Sequence, residues 1–180
     1  PHATNTRAPA ARVERKFAHD QMWFGLEQEY TMLRLDHTPI GFPPGGGLPA
    51  PQGPYYCGVG ADHIMGREIV ELHTQACIDA GLSISGTNPE VMPGQWEFQI
   101  GPLGPTAVGD QMHVARWLLH RIAEDFDVLI SLAAKPEKGD WNGAGCHTNF
   151  STIAMREGYD AIIDACQAIG DNFLMLVENY

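Results

Sequence analysis

Five side chains in this chain have the types and spacing to hold divalent cations. Glu27 and Glu29 lie in Trp23–Leu33, WFGLEQEYTML. In a β-strand alternate side chains share a face, so these two carboxylates point the same way about 7 Å apart. Phe24, Leu26, Tyr30 and Met32 point the other way. Glu97 repeats the design in QWEFQI, with Trp96, Phe98 and Ile100 behind it. His147 repeats it again in GCHTNF, opposite Cys146, Thr148 and Phe150, so Cys146 and His147 should not ligate one ion together. Glu90 sits in a turn, NPEVMP, where proline fixes its direction. Like charges gathered this way are unfavourable unless cations lie among them. An oxygen-rich set with one imidazole suits Mg²⁺ or Mn²⁺ rather than Zn²⁺. The set exceeds what one such ion takes while keeping water and substrate, so the pattern favours two ions. Taken singly, each carboxylate also fits the solvated face of an antiparallel sheet. The metal reading therefore depends on the strands being neighbours.

The elements that must position these residues follow from periodicity. Residues 7–19 read as a polar helix capped by Thr6, and residues 22–33 as the first strand. A Pro/Gly loop covers 36–62; it contains neither G-x-x-x-x-G-K-[ST] nor G-x-G-x-x-G and reads as a structured surface loop. A helix over 66–80 carries an apolar stripe that includes His73, which reads as a packed core residue. Strands are expected over 82–88 and 95–100. The clearest helix is 109–126, with Asp110 favouring its dipole and His113, Arg116 and His120 on a wetted face. A buried strand is expected at 128–133. A loop at 136–145 leads into a strand at 146–150, and the tail reads as two helices broken near Gly170-Asp171. No internal repeat or domain boundary is visible.

Composition limits the partners. The chain has 180 residues, enough for one domain with a substantial core. Its formal net charge of −11 argues against nucleic acid and anionic membranes. The same charge would repel ATP or an acidic substrate unless metal ions offset it locally. The four cysteines are scattered, as expected of reduced thiols in a cytoplasmic protein. No apolar run approaches about 18 residues, so no spanning helix is expected. The Asn149-Phe150-Ser151 sequon is read as chance. The start at Pro1 and the stop at Tyr180 suggest a fragment.

Several long blocks add a second line. WFGLEQEY, PQGPYYCGVGAD, GREIVELH, SGTNPEVMPGQWEFQIGP, GDQMHVAR and WNGAGCHTNFST, in this order and spacing, resemble glutamine synthetase of the type II, eukaryotic-like group. The resemblance runs from about Thr4 to Arg156 and weakens afterwards. It implies an α+β fold: a curved, mainly antiparallel sheet, part of a catalytic split barrel, with ligands on its concave face and helices behind. It implies ATP-dependent ligation of ammonia to the γ-carboxylate of L-glutamate through γ-glutamyl phosphate. Glu29, Glu90 and Glu97 would hold one Mg²⁺ or Mn²⁺, and Glu27 and His147 a second. Glu90 and Glu97 are the implied catalytic carboxylates, Glu90 also favouring ammonium. Glu97, Phe98, Gln99, Ile100, Gly101, Pro102, Asn149, Phe150 and Ser151 correspond to nucleotide-contacting segments. Asp140, Trp141 and Gly143 correspond to the glutamate loop, although many members have Asn at the position of Asp140. Members begin with a β-grasp domain, continue with further arginines and one more Glu ligand, and form rings, commonly of ten subunits. The 180-residue chain alone is thus expected to be inactive. Three other readings compete: a γ-glutamyl ligase using another amine, a non-catalytic relative of the same fold, and a two-metal phosphatase that needs no ATP.

Overall fold

The computed structural model describes residues 1–179. Its organising element is β1, Trp23–Leu33, eleven residues with apolar groups at most even positions. In chain order it is preceded by α1 (Arg7–Lys16) and followed by α2 (Arg67–Asp79), β2 (Ile84–Pro89), β3 (Gln95–Leu103), α3 (Pro105–Glu124), β4 (Leu129–Ser131) and β5 (Cys146–Ser151). Three helices close the chain: α4 (Ile153–Glu157), α5 (Tyr159–Asp171) and α6 (Phe173–Asn179). Every strand pairing is antiparallel, in the order β2-β3-β1-β4. β5 shares with β4 the second edge of β1, pairing Trp23–Gln28 while β4 pairs Thr31–Leu33. This is the α+β architecture with an antiparallel sheet and helices behind it.

One face of the sheet is sealed by α2 and α3. Tyr30, Met32, Trp96, Phe98 and Ile100 are all 2% exposed or less and pack on Ile69, Val70 and Cys77 of α2 and Val108, Met112, Ala115 and Leu119 of α3. Burying these side chains supplies most of the driving force for closing the layer, on the order of 2 kcal/mol for each large residue. His73 belongs to this core. It is fully buried, its Nε2 lies 3.0 Å from the Ala115 carbonyl oxygen, and its ring stands edge-on to Phe98 at 4.9 Å. Burial lowers its pKa, so the ring stays neutral.

The differences from the periodicity reading have local causes. α3 begins four residues early because Pro105 fits a helix's first turn, where no N–H is needed. Asp110 therefore lies past the helix start. It takes two hydrogen bonds from Arg7, at 2.6 and 2.7 Å, and tethers α1 instead of serving the dipole. α1 stops at Lys16 and is followed by a 3₁₀ turn, Ala18–Asp20. The Thr6 side chain makes no cap bond; Asn5 Oδ1 accepts from the Ala8 N–H at 2.9 Å. β4 has three half-buried residues instead of a buried run of six, because β5 occupies the rest of that edge. Arg116 does not join His113 and His120 on the wetted face; it turns inward to Gln28.

β3 passes β1 too closely for a side chain at Gly101. Its φ is +122°, and a Cβ there would lie 2.5 Å from the Phe24 carbonyl oxygen and 3.0 Å from Gly25 Cα. Both obstacles are backbone, so no rotamer relieves them. Gly101→Ala is expected to cost about 2–4 kcal/mol in urea unfolding, from strain and overpacking together.

Candidate metal centre and adjoining cleft

The register of β1 assembles the acidic face. Glu29 pairs with Glu97 on β3, and Glu27 lies between Gln99 of β3 and His147 of β5. Glu90, just past the end of β2, reaches the same place. Glu29, Glu90 and Glu97 each offer a carboxylate oxygen, all within 4.8 Å of one another. Beside them Glu27 Oε2 lies 3.6 Å from His147 Nδ1. The five side chains are therefore on one face, sorted into a triad and a neighbouring pair. Cys146 lies against the core on the opposite face. None of the four cysteines forms a disulfide.

Each carboxylate is aimed by a polar neighbour. Asn88 Nδ2 donates to Glu90 at 3.1 Å, and the Val91 N–H donates to it at 3.3 Å. Gln99 Nε2 donates to Glu97 and, at 2.8 Å, to Asn88 Oδ1, so one amide network orients two carboxylates. The Gly145 N–H donates to Glu29, and Asn149 Nδ2 donates to Glu27. Among the described residues no lysine or arginine forms a salt bridge with the triad. Burial, followed by the charges of Glu29 and Glu97, pushes the Glu90 pKa up to about 7. Burial also raises Glu97, reinforced by Glu27 and Glu29 and opposed by the Gln99 bond. Three aimed carboxylates without a cationic side chain fit a hard divalent ion, which accepts oxygen ligands and offsets their repulsion.

A pH dependence follows. Glu90 takes up its proton near pH 7 when folded but near pH 4.5 when unfolded. Between those values the folded state binds more protons, so stability falls as pH rises. The metal-free protein is expected to lose on the order of 2 kcal/mol between pH 4.5 and 7 from this group. Saturating Mn²⁺ reverses the trend, because the ion competes with the proton. Urea midpoints across that range with and without Mn²⁺ check both signs.

An open cleft of about 380 Å³ begins at Glu27 and runs along the same face past Gly25 to Trp23, between β3 and β5. Gln99, Ile100, Gly101, Pro102, Asn149, Phe150 and Ser151, expected at a nucleotide, all line it. Glu97 and Phe98 do not: Glu97 stands in the carboxylate triad, and the Phe98 side chain is fully buried in the core. Asp140, Trp141 and Gly143 lie on the loop before β5. Trp141 packs on Phe42 with centroids 4.9 Å apart, Gly143 O accepts from Gln95 Nε2 at 2.7 Å, and Asp140 O accepts from Gln52 Nε2 at 3.2 Å. Asn142 is clamped in the same loop by Gln52 and Gln95, each at 3.0 Å. Tyr56 is a residue the sequence reading passed over. The Cys57 N–H donates to Pro89 O at 3.1 Å, which brings the Pro/Gly loop beside Glu90. Negative charge at Cys57, Glu90 and Glu97 raises the Tyr56 pKa. Its one sequence signal is an aromatic pair inside a Pro/Gly loop.

The family described as "Glutamine synthetase, catalytic domain" matches residues 4–171. The chain belongs to that family. It is 65% identical over 172 residues to "Glutamine synthetase" of Streptomyces hygroscopicus, covering 96% of this chain and 50% of the relative. It is 56% identical over 157 residues to "Glutamine synthetase" of Homo sapiens, covering 87% and 42%. The chain thus spans about half the length of the curated relatives it matches. Among solved structures, "GmaS/ADP complex-Conformation 1" superposes with a TM-score of 0.65 at 20% identity, covering 82% of this chain and 34% of the other; this likeness concerns the fold. No described helix is long and apolar enough to cross a membrane. The glutamine synthetase family explains why blocks as far apart as WFGLEQEY and WNGAGCHTNFST meet on one face of a sheet.

Proposed function

We propose that this chain carries the metal-bearing part of the catalytic domain of a cytoplasmic, ring-forming glutamate–ammonia ligase. The observation that carries the reading is the triad of Glu29, Glu90 and Glu97 beside Glu27 and His147, with Glu27 also lining the near end of the cleft. In the reaction an oxygen of the glutamate γ-carboxylate attacks the γ-phosphorus of ATP, and the bond to ADP breaks. Ammonium gives up a proton to solvent, and the resulting ammonia attacks the acyl carbon of γ-glutamyl phosphate. Phosphate leaves with the C–O bonding pair, and the surplus proton on the new amide nitrogen passes to the departing phosphate. Mg²⁺ or Mn²⁺ held by Glu29, Glu90 and Glu97, and by Glu27 and His147, would supply neutralisation of phosphoryl charge.

The chain's own groups divide the remaining work. Asn149 and Gln99 fix the carboxylates at the phosphate end of the cleft. The loop of Asp140, Trp141 and Gly143 lies beside Glu29, as a loop positioning glutamate requires. The Glu90 carboxylate favours ammonium over neutral ammonia. The test is phosphate release by the intact protein. It should require ATP, glutamate, ammonium and Mg²⁺ or Mn²⁺ together. Faster release with methylamine or ethylamine would make it a ligase for another amine, and absence of Mn²⁺ binding would revive a non-catalytic role. The isolated 180-residue chain is expected to form no glutamine.

A further inference from the structure

Gly25 is the third residue of β1, between Trp23 and Glu27 on the acidic face, and lines the cleft. Nothing in the backbone asks for glycine there. Its φ is not among the positive values, even though the pairing with β3 is irregular between Phe24 and Leu26. Nothing in the packing asks for it either. A Cβ at Gly25 would meet only Asn149 Cβ, at 3.9 Å, an ordinary contact. Gly101, across the cleft, is the contrast, since both its φ and its neighbours exclude a side chain. A glycine inside a strand weakens it and marks a place where something approaches the backbone closely. The space above Gly25 is the cleft itself.

The two ends of the cleft say what lies there. At one end stands Glu27, 3.6 Å from His147, where the ligase reading puts the phosphates. At the other stands the half-exposed Trp23 indole, with the Arg156 guanidinium 4.0 Å from its ring centroid. Arg156 is itself fixed by donation to Gln21 O at 2.7 Å and Ser151 Oγ at 2.9 Å. About 13 Å of strand separates the ends. We propose that Gly25 is a specificity-determining residue: its missing side chain lets the sugar of an adenine nucleotide lie directly on β1, between phosphates at Glu27 and a base at Trp23. This inference rests on the ligase reading for the identity of the nucleotide.

The test compares Gly25→Val and Gly25→Ala with wild type in the intact protein. Titration with ADP and Mg²⁺ is expected to show affinity reduced roughly tenfold to a hundredfold by valine, the range that steric overpacking produces, and less by alanine. KM for ATP should rise more than kcat falls. Mn²⁺ binding to the triad should be retained, and the melting temperature should not drop, because valine suits a strand interior. A folded Gly25→Val protein that binds ADP as wild type does would overturn the inference and leave the ligase reading intact. If valine prevents folding, Gly25→Ala decides: undiminished ADP affinity overturns the proposal, and a loss supports it. Failure of wild type to bind ADP would overturn the ligase reading and this inference with it.

Discussion

Glu97→Gln is expected to lower turnover of the intact enzyme by about 10³-fold while raising the melting temperature of the metal-free protein. The two effects have opposite signs because the residue has opposite roles in the two states. Without an ion, Glu97 is a buried carboxylate opposite Glu29 on the neighbouring strand and within reach of Glu90. Its raised pKa records that the charged form is unfavourable there. Glutamine keeps the shape and can still accept from Gln99, but removes one like charge. Relief on the order of 1 kcal/mol corresponds to a rise of roughly 2–4 °C in a domain of this size.

With an ion the balance reverses. A neutral amide oxygen is a weaker ligand for a hard cation than a carboxylate, and the metal-induced rise in melting temperature should shrink. Differential scanning calorimetry with and without Mn²⁺, alongside phosphate release, reads both signs. A solvated acidic face of no function would show neither a Mn²⁺-dependent shift in wild type nor its loss in the variant. That pair of results would sink the metal reading.

The parts of the site visible in the sequence were those encoded by period two. Glu27, Glu29, Glu97 and His147 each stand opposite an apolar row, and alternation alone assigns the face. Which strands lie side by side is a matter of register. Alternation is silent on that, and the glutamine synthetase resemblance supplied it. Arg116 shows the limit of helical periodicity. Its position on α3 fits a wetted face, but a long side chain can turn back under the sheet to a polar partner at Gln28, itself on the apolar face of β1. The sequence reading had no partner for Gln28, which breaks the run between Leu26 and Tyr30. Tyr56 and Asn142 escaped for another reason. Both sit in loops whose paths are set by one or two hydrogen bonds to distant residues, Cys57 to Pro89 and Asn142 to Gln52 and Gln95. No local pattern encodes such bonds.

The second large effect is expected from behind the sheet. Arg116→Ala should destabilise the protein by about 2–3 kcal/mol and weaken Mn²⁺ binding roughly 10–100-fold, although Arg116 lies on the far side of β1 from the carboxylates. Arg116 Nε donates to Gln28 Oε1 at 2.9 Å, its NH2 group donates to the same oxygen, and NH2 also lies 3.9 Å from Cys146 Sγ. Gln28 is 3% exposed, and its Nε2 donates to Glu29 O at 2.7 Å and Gly145 O at 3.2 Å. The Glu29 N–H donates back to Gly145 O at 3.0 Å, and the Gly145 N–H donates to the Glu29 carboxylate. The core amide therefore sets the position of the loop whose backbone aims a triad carboxylate.

Truncating Arg116 leaves the Gln28 oxygen buried without its charged donor, and the amide is free to turn away from Gly145. Arg116→Lys should fall between, since one ammonium does not reproduce two guanidinium N–H groups on one oxygen. The double variant Arg116→Ala, Gln28→Leu separates positioning from stability. Removing both buried partners should restore much of the lost stability, because an apolar replacement leaves no orphaned oxygen. It should not restore Mn²⁺ affinity, because the bonds from Gln28 to Glu29 and Gly145 are gone with the amide. If Mn²⁺ affinity instead followed stability through the three variants, Arg116 would be a core residue with no part in aiming Glu29.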